Sequence, residues 1–185
     1  MDLFQKCHDF TDAVALREQG AYPYFIPLDK NEGTEVIYEG RRIIMCGSNN
    51  YLGLTTHPKV RQAAINAITE YGTSCTGSRF LNGNMTIIED LEKELAAWVG
   101  KEAALVFSTG MQTNLGTISA LVGKDDIIIM DKEDHASIVD GAFLSGGKIE
   151  RFRHNDMDHL ERVLKSLPDE KGKLLVVDGL FSMEG

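Results

Sequence analysis

The sequence has no run of basic residues. Its nearest approach is Arg41-Arg42, and 19 Lys and Arg stand against 28 Asp and Glu, for a net charge of −9. Nucleic-acid binding needs clustered Lys and Arg against phosphates, so nucleic acid is excluded as the main partner. No apolar run approaches the ~20 residues of a membrane helix. The opening MDLFQKCHDF is broken by polar and acidic residues and does not make a signal peptide. Cysteine is scarce: Cys7, Cys46 and Cys75 are scattered, odd in number and without CxxC spacing. That usage points to reduced thiols in a cytoplasmic setting, and no metal site is expected. There is no P-loop, no GxGxxG, no repeat and no low-complexity segment or flexible linker.

What is present suits a globular protein with a real core: 43% hydrophobic and 25% charged residues over 185 positions. Leu3, Phe4, Phe10, Ala13, Val14 and Leu16 predict one helix over 2–19, with Gly20 as its stop. Pro23 and Pro27 force an extended path. TEVIYEG and RRIIMCG flank Glu39-Gly40 and read as a β-hairpin. HPKVRQAAINAITEYG reads as a helix, with Pro58 in its first turn and Gly72 at its end. TIIEDLEKELAAWVG reads as another, with Thr86 and Glu89 as a capping box.

Beyond it the strands EAALVFS, DIIIMD, KIERFRH and KLLVVDG alternate with helical stretches of ten or so residues. That alternation predicts an α/β fold in three layers, a mainly parallel sheet flanked by helices with right-handed crossovers. The expected organisation is a segment 1–50, holding the helix, an extended arm and the hairpin, followed by 51–185. Leu174–Val177 is continuously apolar, the pattern of a strand buried on both faces. The sequence supplies only part of the covering such a strand needs, so a portion of a longer protein is expected.

Five polar clusters are candidates for chemistry. FSTGMQTN places Ser108, Thr109, Gly110 and Met111 where a strand gives way to a helix, an anion site by geometry and dipole. Alone it reads equally as an ordinary cap. In MDKEDHASIVDG, His135 opens a helix beside the small Ala136 and Ser137, with room to face a flat ligand; alone it reads as a capping or solvent-facing histidine. GTSCTGSRFLNGN is a permissive loop carrying Arg79, a candidate anion contact or a plain connector. CGSNNYLGL holds Asn49, whose amide can bind a carboxylate or cap a turn. DGLFSMEG sets Asp178 and Ser182 at or past the end of the last strand, the ligand edge of a parallel sheet.

SNNYLGL, GSRFLNG, ALVFSTGMQTN, DHASIVDG, HND and DGLFSMEG, in this order and spacing, resemble the α-oxoamine synthases. These are pyridoxal-phosphate enzymes of the aspartate-aminotransferase fold (fold type I). The resemblance runs from about the first helix to Gly185, and GTSCTGSRFLNGN and GAYPYFIPL look most like the bacterial serine palmitoyltransferases. It implies that 51–185 is the N-terminal part of a large cofactor-binding domain. The implied cofactor is pyridoxal 5′-phosphate, and the implied reaction is a decarboxylating condensation of an amino acid, serine favoured, with an acyl-CoA to give an α-amino ketone.

By the same resemblance His135 stacks on the cofactor ring. Ser108, Thr109, Gly110 and Met111 lie beside the cofactor, Ser182 near its phenolic oxygen, and Asp178 at a position where relatives carry Glu or Asp. Asn49 would reach the active site of the other subunit of a homodimer; Arg79, from its own setting in a permissive loop rather than from the resemblance, is expected to contact substrate. The lysine that binds the cofactor covalently is expected beyond Gly185, so these 185 residues alone are expected to be inactive. Glycine C-acetyltransferase (2-amino-3-ketobutyrate CoA ligase), 8-amino-7-oxononanoate synthase and a non-catalytic scaffold subunit remain alternatives.

Overall fold

A computed structural model describes residues 2–185, the side chains of 31 and 32 excepted. Its first elements are two short helices, α1 (Gln5–Asp9) and α2 (Asp12–Glu18), where one was expected. Phe10 turns extended between them, and Asp12 supplies the negative charge that favours a new first turn. Neither helix buries a side chain, so no packing holds them in line. Gly20 does end α2: at φ 67° it lets Ala21 N–H reach the Leu16 carbonyl at 2.9 Å.

The expected hairpin is present as β2 (Glu35–Tyr38) and β3 (Arg41–Ile44), and β1 (Lys30–Glu32) adds a third antiparallel strand that sequence reasoning missed. Glu39 and Gly40 both have positive φ, 48° and 72°, as a two-residue hairpin turn of the right twist demands. Helix α3 (Pro58–Tyr71) starts where His57 Nδ1 accepts the Lys59 N–H at 3.2 Å and stops at Gly72. These elements form one compact unit ending at Thr76; the second unit is Gly77–Gly185.

The second unit holds α4 (Thr86–Val99), α5 (Gly110–Leu121), β4 (Ile127–Asp131), α6 (Ala136–Ser145), β5 (Lys148–Phe152), α7 (Met157–Ser166) and β6 (Lys173–Val176). The sheet order is β5-β4-β6, parallel throughout, with Ile128 opposite Ile149 and Leu174. On one face Ile128 and Met130 pack against Ile118 and Val122 of the α5 end and Ile138 and Ala142 of α6. On the other, Ile127, Ile129 and Phe152 pack against Leu160, Val163 and Leu167 from α7 and its end. This is the three-layer arrangement read from the alternation. Each fully buried Ile contributes about 1.5–3 kcal/mol relative to exposure.

Three local expectations fail. Thr86 is the first residue of α4 rather than its cap. Met85 holds the cap position and its side chain does not cap the helix, and Glu89 Oε1 accepts instead from Asn84 Nδ2 at 2.7 Å. EAALVFS is extended but joins no ladder among the described residues, because an extended segment becomes a strand only beside a partner. Leu175 and Val177 are exposed, so β6, an edge strand, is covered on one face only.

Helices α5 and α6 meet at Gly141, where an added Cβ would lie 3.0 Å from the Asn114 carbonyl and 3.1 Å from Ile118 Cδ1. Gly141→Val is therefore expected to destabilise the second unit by about 2 kcal/mol, the usual cost of overpacking. Chemical denaturation measures it, and an unchanged midpoint would refute the close approach.

Candidate functional site

The C-terminal edge of the parallel sheet is organised by three aspartates. Asp131 ends β4 almost wholly buried, at 2% exposure. Its Oδ1 accepts the Glu133 N–H at 2.9 Å and lies 3.0 Å from His154 Nδ1, and its Oδ2 accepts the Asn155 N–H at 3.0 Å. Burial pushes this carboxyl up, but the Glu133 and Asn155 amides and the His154 ring together hold it below its ordinary range. The His154 ring is set edge-on to Phe181, with centroids 4.6 Å apart.

Asp134 accepts the Asp131 N–H at 2.8 Å with one oxygen and the Asp178 N–H at 2.9 Å with the other. Asp178 in turn accepts the His135 N–H at 2.7 Å. The loop after β4 and the segment after β6 thus hold each other through reciprocal carboxylate-to-backbone bonds. Burial is the dominant influence on Asp134 and raises its pKa despite both bonds.

His135 caps α6, and its Nδ1 accepts the Ser137 N–H at 3.2 Å and lies 2.7 Å from Ser137 Oγ. An N–H aimed at Nδ1 requires a lone pair there, so the ring proton belongs on Nε2. Asn114 Nδ2 donates to Ser137 Oγ at 2.8 Å, which leaves the serine hydroxyl proton for Nδ1. Asn114 is one turn into α5, so this relay ties the starts of α5 and α6 side by side. The His135 ring itself is exposed.

Thr109 caps α5, its Oγ1 accepting the Gln112 N–H at 3.0 Å. Gly110 and Met111 open the helix, and their N–H groups are first-turn donors without an intrahelical acceptor. An added Cβ at Gly110 would meet nothing within 4 Å. Exposed Ser108 lines a cavity of about 610 Å³ together with Arg79, Phe107, Gln112 and Leu144. Arg79, expected on substrate, grips Glu92 with two nitrogens at 2.5 and 2.9 Å and Asn84 with Nε at 2.9 Å. Ser182 lies in an exposed turn four residues past Asp178.

In the first unit, Asn49 is exposed in a turn folded by its neighbours: Asn50 N–H donates to Ser48 Oγ at 3.1 Å and Asn50 Oδ1 accepts the Thr55 N–H at 3.3 Å. Among the described residues no group of His, Cys, Asp and Glu could hold a metal ion.

Residues 41–185 match the family described as aminotransferase class I and II. The chain belongs to the aminotransferase class I and II family. It is 50% identical over 99% of its length to a serine palmitoyltransferase of Sphingobacterium spiritivorum, covering 46% of that protein. It is 45% identical over 92% of its length to an 8-amino-7-oxononanoate synthase of Geobacter sulfurreducens, covering 44% of it. A solved serine palmitoyltransferase from S. paucimobilis, with a bound PLP–myriocin aldimine, superposes with a TM-score of 0.94 at 37% identity, over 99% of this chain and 47% of that one. The chain spans less than half the length of these relatives. Its kinship with the α-oxoamine synthases is the one read from the motifs.

In this member of the aminotransferase class I and II family, sequence reasoning missed Asn114, Asp134 and Glu92 as organising residues. Asn114 had a signal in its position, one turn past Gly110 on the same helix. Asp134 and Glu92 had none, because the partners that give them their role, the Asp178 N–H for one and Arg79 with the Val106 N–H for the other, are brought to them only by the fold.

Asp178→Ala leaves the His135 N–H without its acceptor and should cost about 1–2 kcal/mol, with a changed His135 ring shift by NMR. Asp178→Asn, which keeps an acceptor oxygen, should recover most of both; equal loss in the two variants would refute the bond. Arg79 pulls Glu92 from 4.5 down to about 2, helped by the Val106 N–H. A depressed carboxyl stabilises the fold above its unfolded pKa and loses that contribution as pH falls through the folded one. Wild-type urea midpoints should therefore fall between about pH 5 and about pH 2, and less steeply in Glu92→Gln; parallel curves would contradict the pairing.

Proposed function

We propose that the chain is the N-terminal part of the cofactor-binding domain of a pyridoxal-phosphate-dependent acyltransferase, condensing serine with a long-chain acyl-CoA to an α-amino ketone with release of CoA and CO₂. The carrying observation is the meeting of two helix starts at one sheet edge: the open first-turn amides of α5 and the exposed, tautomer-fixed ring of His135 at α6, tied by Asn114 and Ser137. The greater identity to a serine palmitoyltransferase than to an 8-amino-7-oxononanoate synthase supports serine as the amino acid.

The residues present fit the cofactor. The N–H groups of Gly110 and Met111, with Ser108 adjoining, would hold its phosphate, and no Cβ obstructs the approach at Gly110. The flat face of His135 would lie against its ring. When bound, pyridoxal phosphate supplies an electron sink for the carbanion at an amino acid's α-carbon. The relay from Asn114 through Ser137 keeps the His135 proton on Nε2, where it can hold the substrate carboxylate and orient the α-C–H bond. Asp178 fixes the His135 backbone, and Ser182 offers a hydroxyl just beyond. Asn49 would serve a second subunit of a homodimer. Arg79 is less suited to substrate than expected, since Glu92 and Asn84 occupy its guanidinium. The three cysteines are exposed and none is in a disulfide among the described residues, which fits a cytoplasmic enzyme; among the described residues no helix is long and apolar enough to cross a membrane.

The test has two arms. These 185 residues, incubated with pyridoxal phosphate and borohydride, should show no single labelled lysine. The chain extended to the length of its relatives should release CoA with serine and palmitoyl-CoA, and His135→Ala should lower the rate by at least about tenfold. Release only with glycine and acetyl-CoA would replace this substrate pair, and no release with any pair would favour a scaffold.

A further inference from the structure

We propose that Arg79 and Glu92 form a positioning pair that aims the Ser108–Met111 segment at the cofactor phosphate; this rests on the function proposed above. The segment before it, 102–108, has no ladder partner among the described residues. Val106 is nevertheless held at both backbone groups: its N–H donates to Glu92 Oε1 at 2.7 Å, and its carbonyl accepts from the Arg79 guanidinium at 3.3 Å. Two side chains thus replace an adjacent strand at this one residue. They are locked to each other by the two-nitrogen, two-oxygen contact and are partly shielded, with side-chain exposures of 32% and 14%.

The grip is anchored at both ends. Glu92 stands on α4, a helix of 14 residues. Arg79 stands in a loop closed on itself, where the Ser78 carbonyl accepts from Leu81, Asn82 and Gly83 N–H. An added Cβ at Gly83 would lie 1.7 Å from the Gly77 carbonyl oxygen, so this loop has no alternative packing with a larger residue there. Next along the chain, the Phe107 ring packs on Gly116 of α5, where an added Cβ would come within 2.9 Å of it. With Val106 clamped and Phe107 wedged, Ser108 and Thr109 enter α5 in one direction. The depressed Glu92 pKa keeps the pair charged well into the acid range.

Amide-resolved NMR of the chain tests this with inorganic phosphate and with pyridoxal phosphate as probes, in wild type, Glu92→Gln and Arg79→Lys. Wild-type Gly110 and Met111 amides should shift on titration. Both variants should bind both probes about tenfold more weakly, with faster exchange of the Val106 N–H, while exchange in β4 stays unchanged. Arg79→Lys keeps the charge and guards against a variant that fails to fold. Unchanged probe affinity in two folded variants would overturn the proposal, as would wild-type amides that respond to neither probe. Amides that respond in an extended chain without CoA release would remove the proposed reaction and leave the positioning pair standing.

Discussion

The complete burial of β4 is the constraint on which the second unit depends. Ile127–Asp131 lies between two parallel neighbours with helices over both faces, and all five residues are buried. Four of them are apolar and need only packing. The fifth is an aspartate, and a buried carboxylate is tolerated only when its oxygens are bonded. Glu133, Asn155 and His154 supply those bonds. The chain leaving β4 and the chain leaving β5 must therefore converge on Asp131, which sets the paths of both loops at the sheet's C-terminal edge.

Asp134 and Asp178 extend the same logic sideways to β6. Each uses a carboxylate to satisfy a backbone N–H of the other's loop, and the outcome is a His135 fixed at its backbone by one loop and at its ring by Ser137. Opposite pKa directions at Asp131 and Asp134 follow from the balance of burial against bonds. Charge at this edge is thus arranged chiefly to hold backbone.

The parts legible in the sequence were those governed by local pattern. The β4–α6–β5–α7–β6 alternation, the Glu39-Gly40 turn and the Gly20 and Gly72 stops depend on periodicity and glycine conformation within a few residues. The misses depend on partners distant in sequence. EAALVFS has strand composition, but composition cannot supply a neighbour. Thr86 and Glu89 match a capping box, yet Asn84 takes Glu89 first. The pairing of Arg79 with Glu92, 13 residues on, likewise becomes visible only in the folded chain. Of the candidate residues, His135, Ser108 and Gly110 were readable as motif positions, whereas Asp134, Asn114 and Glu92, which bond to the segments around them, were not.

One consequence joins the two halves of the site. At Val106 and at the ends of β4 and β6, carboxylates of Glu92, Asp134 and Asp178 accept backbone N–H groups that no strand accepts. Carboxylate oxygens are thereby tied up in holding the scaffold. The groups left facing outward at the α5 and α6 starts are donors: two first-turn amides, the Ser108 hydroxyl and the Nε2–H of His135. A chain with a net charge of −9 can in this way keep donors at these helix starts, because Glu92, Asp134 and Asp178 are engaged with backbone. That pairing of acid with scaffold leaves donors at the two helix starts, the chemistry through which the proposed function would receive a phosphate and a carboxylate.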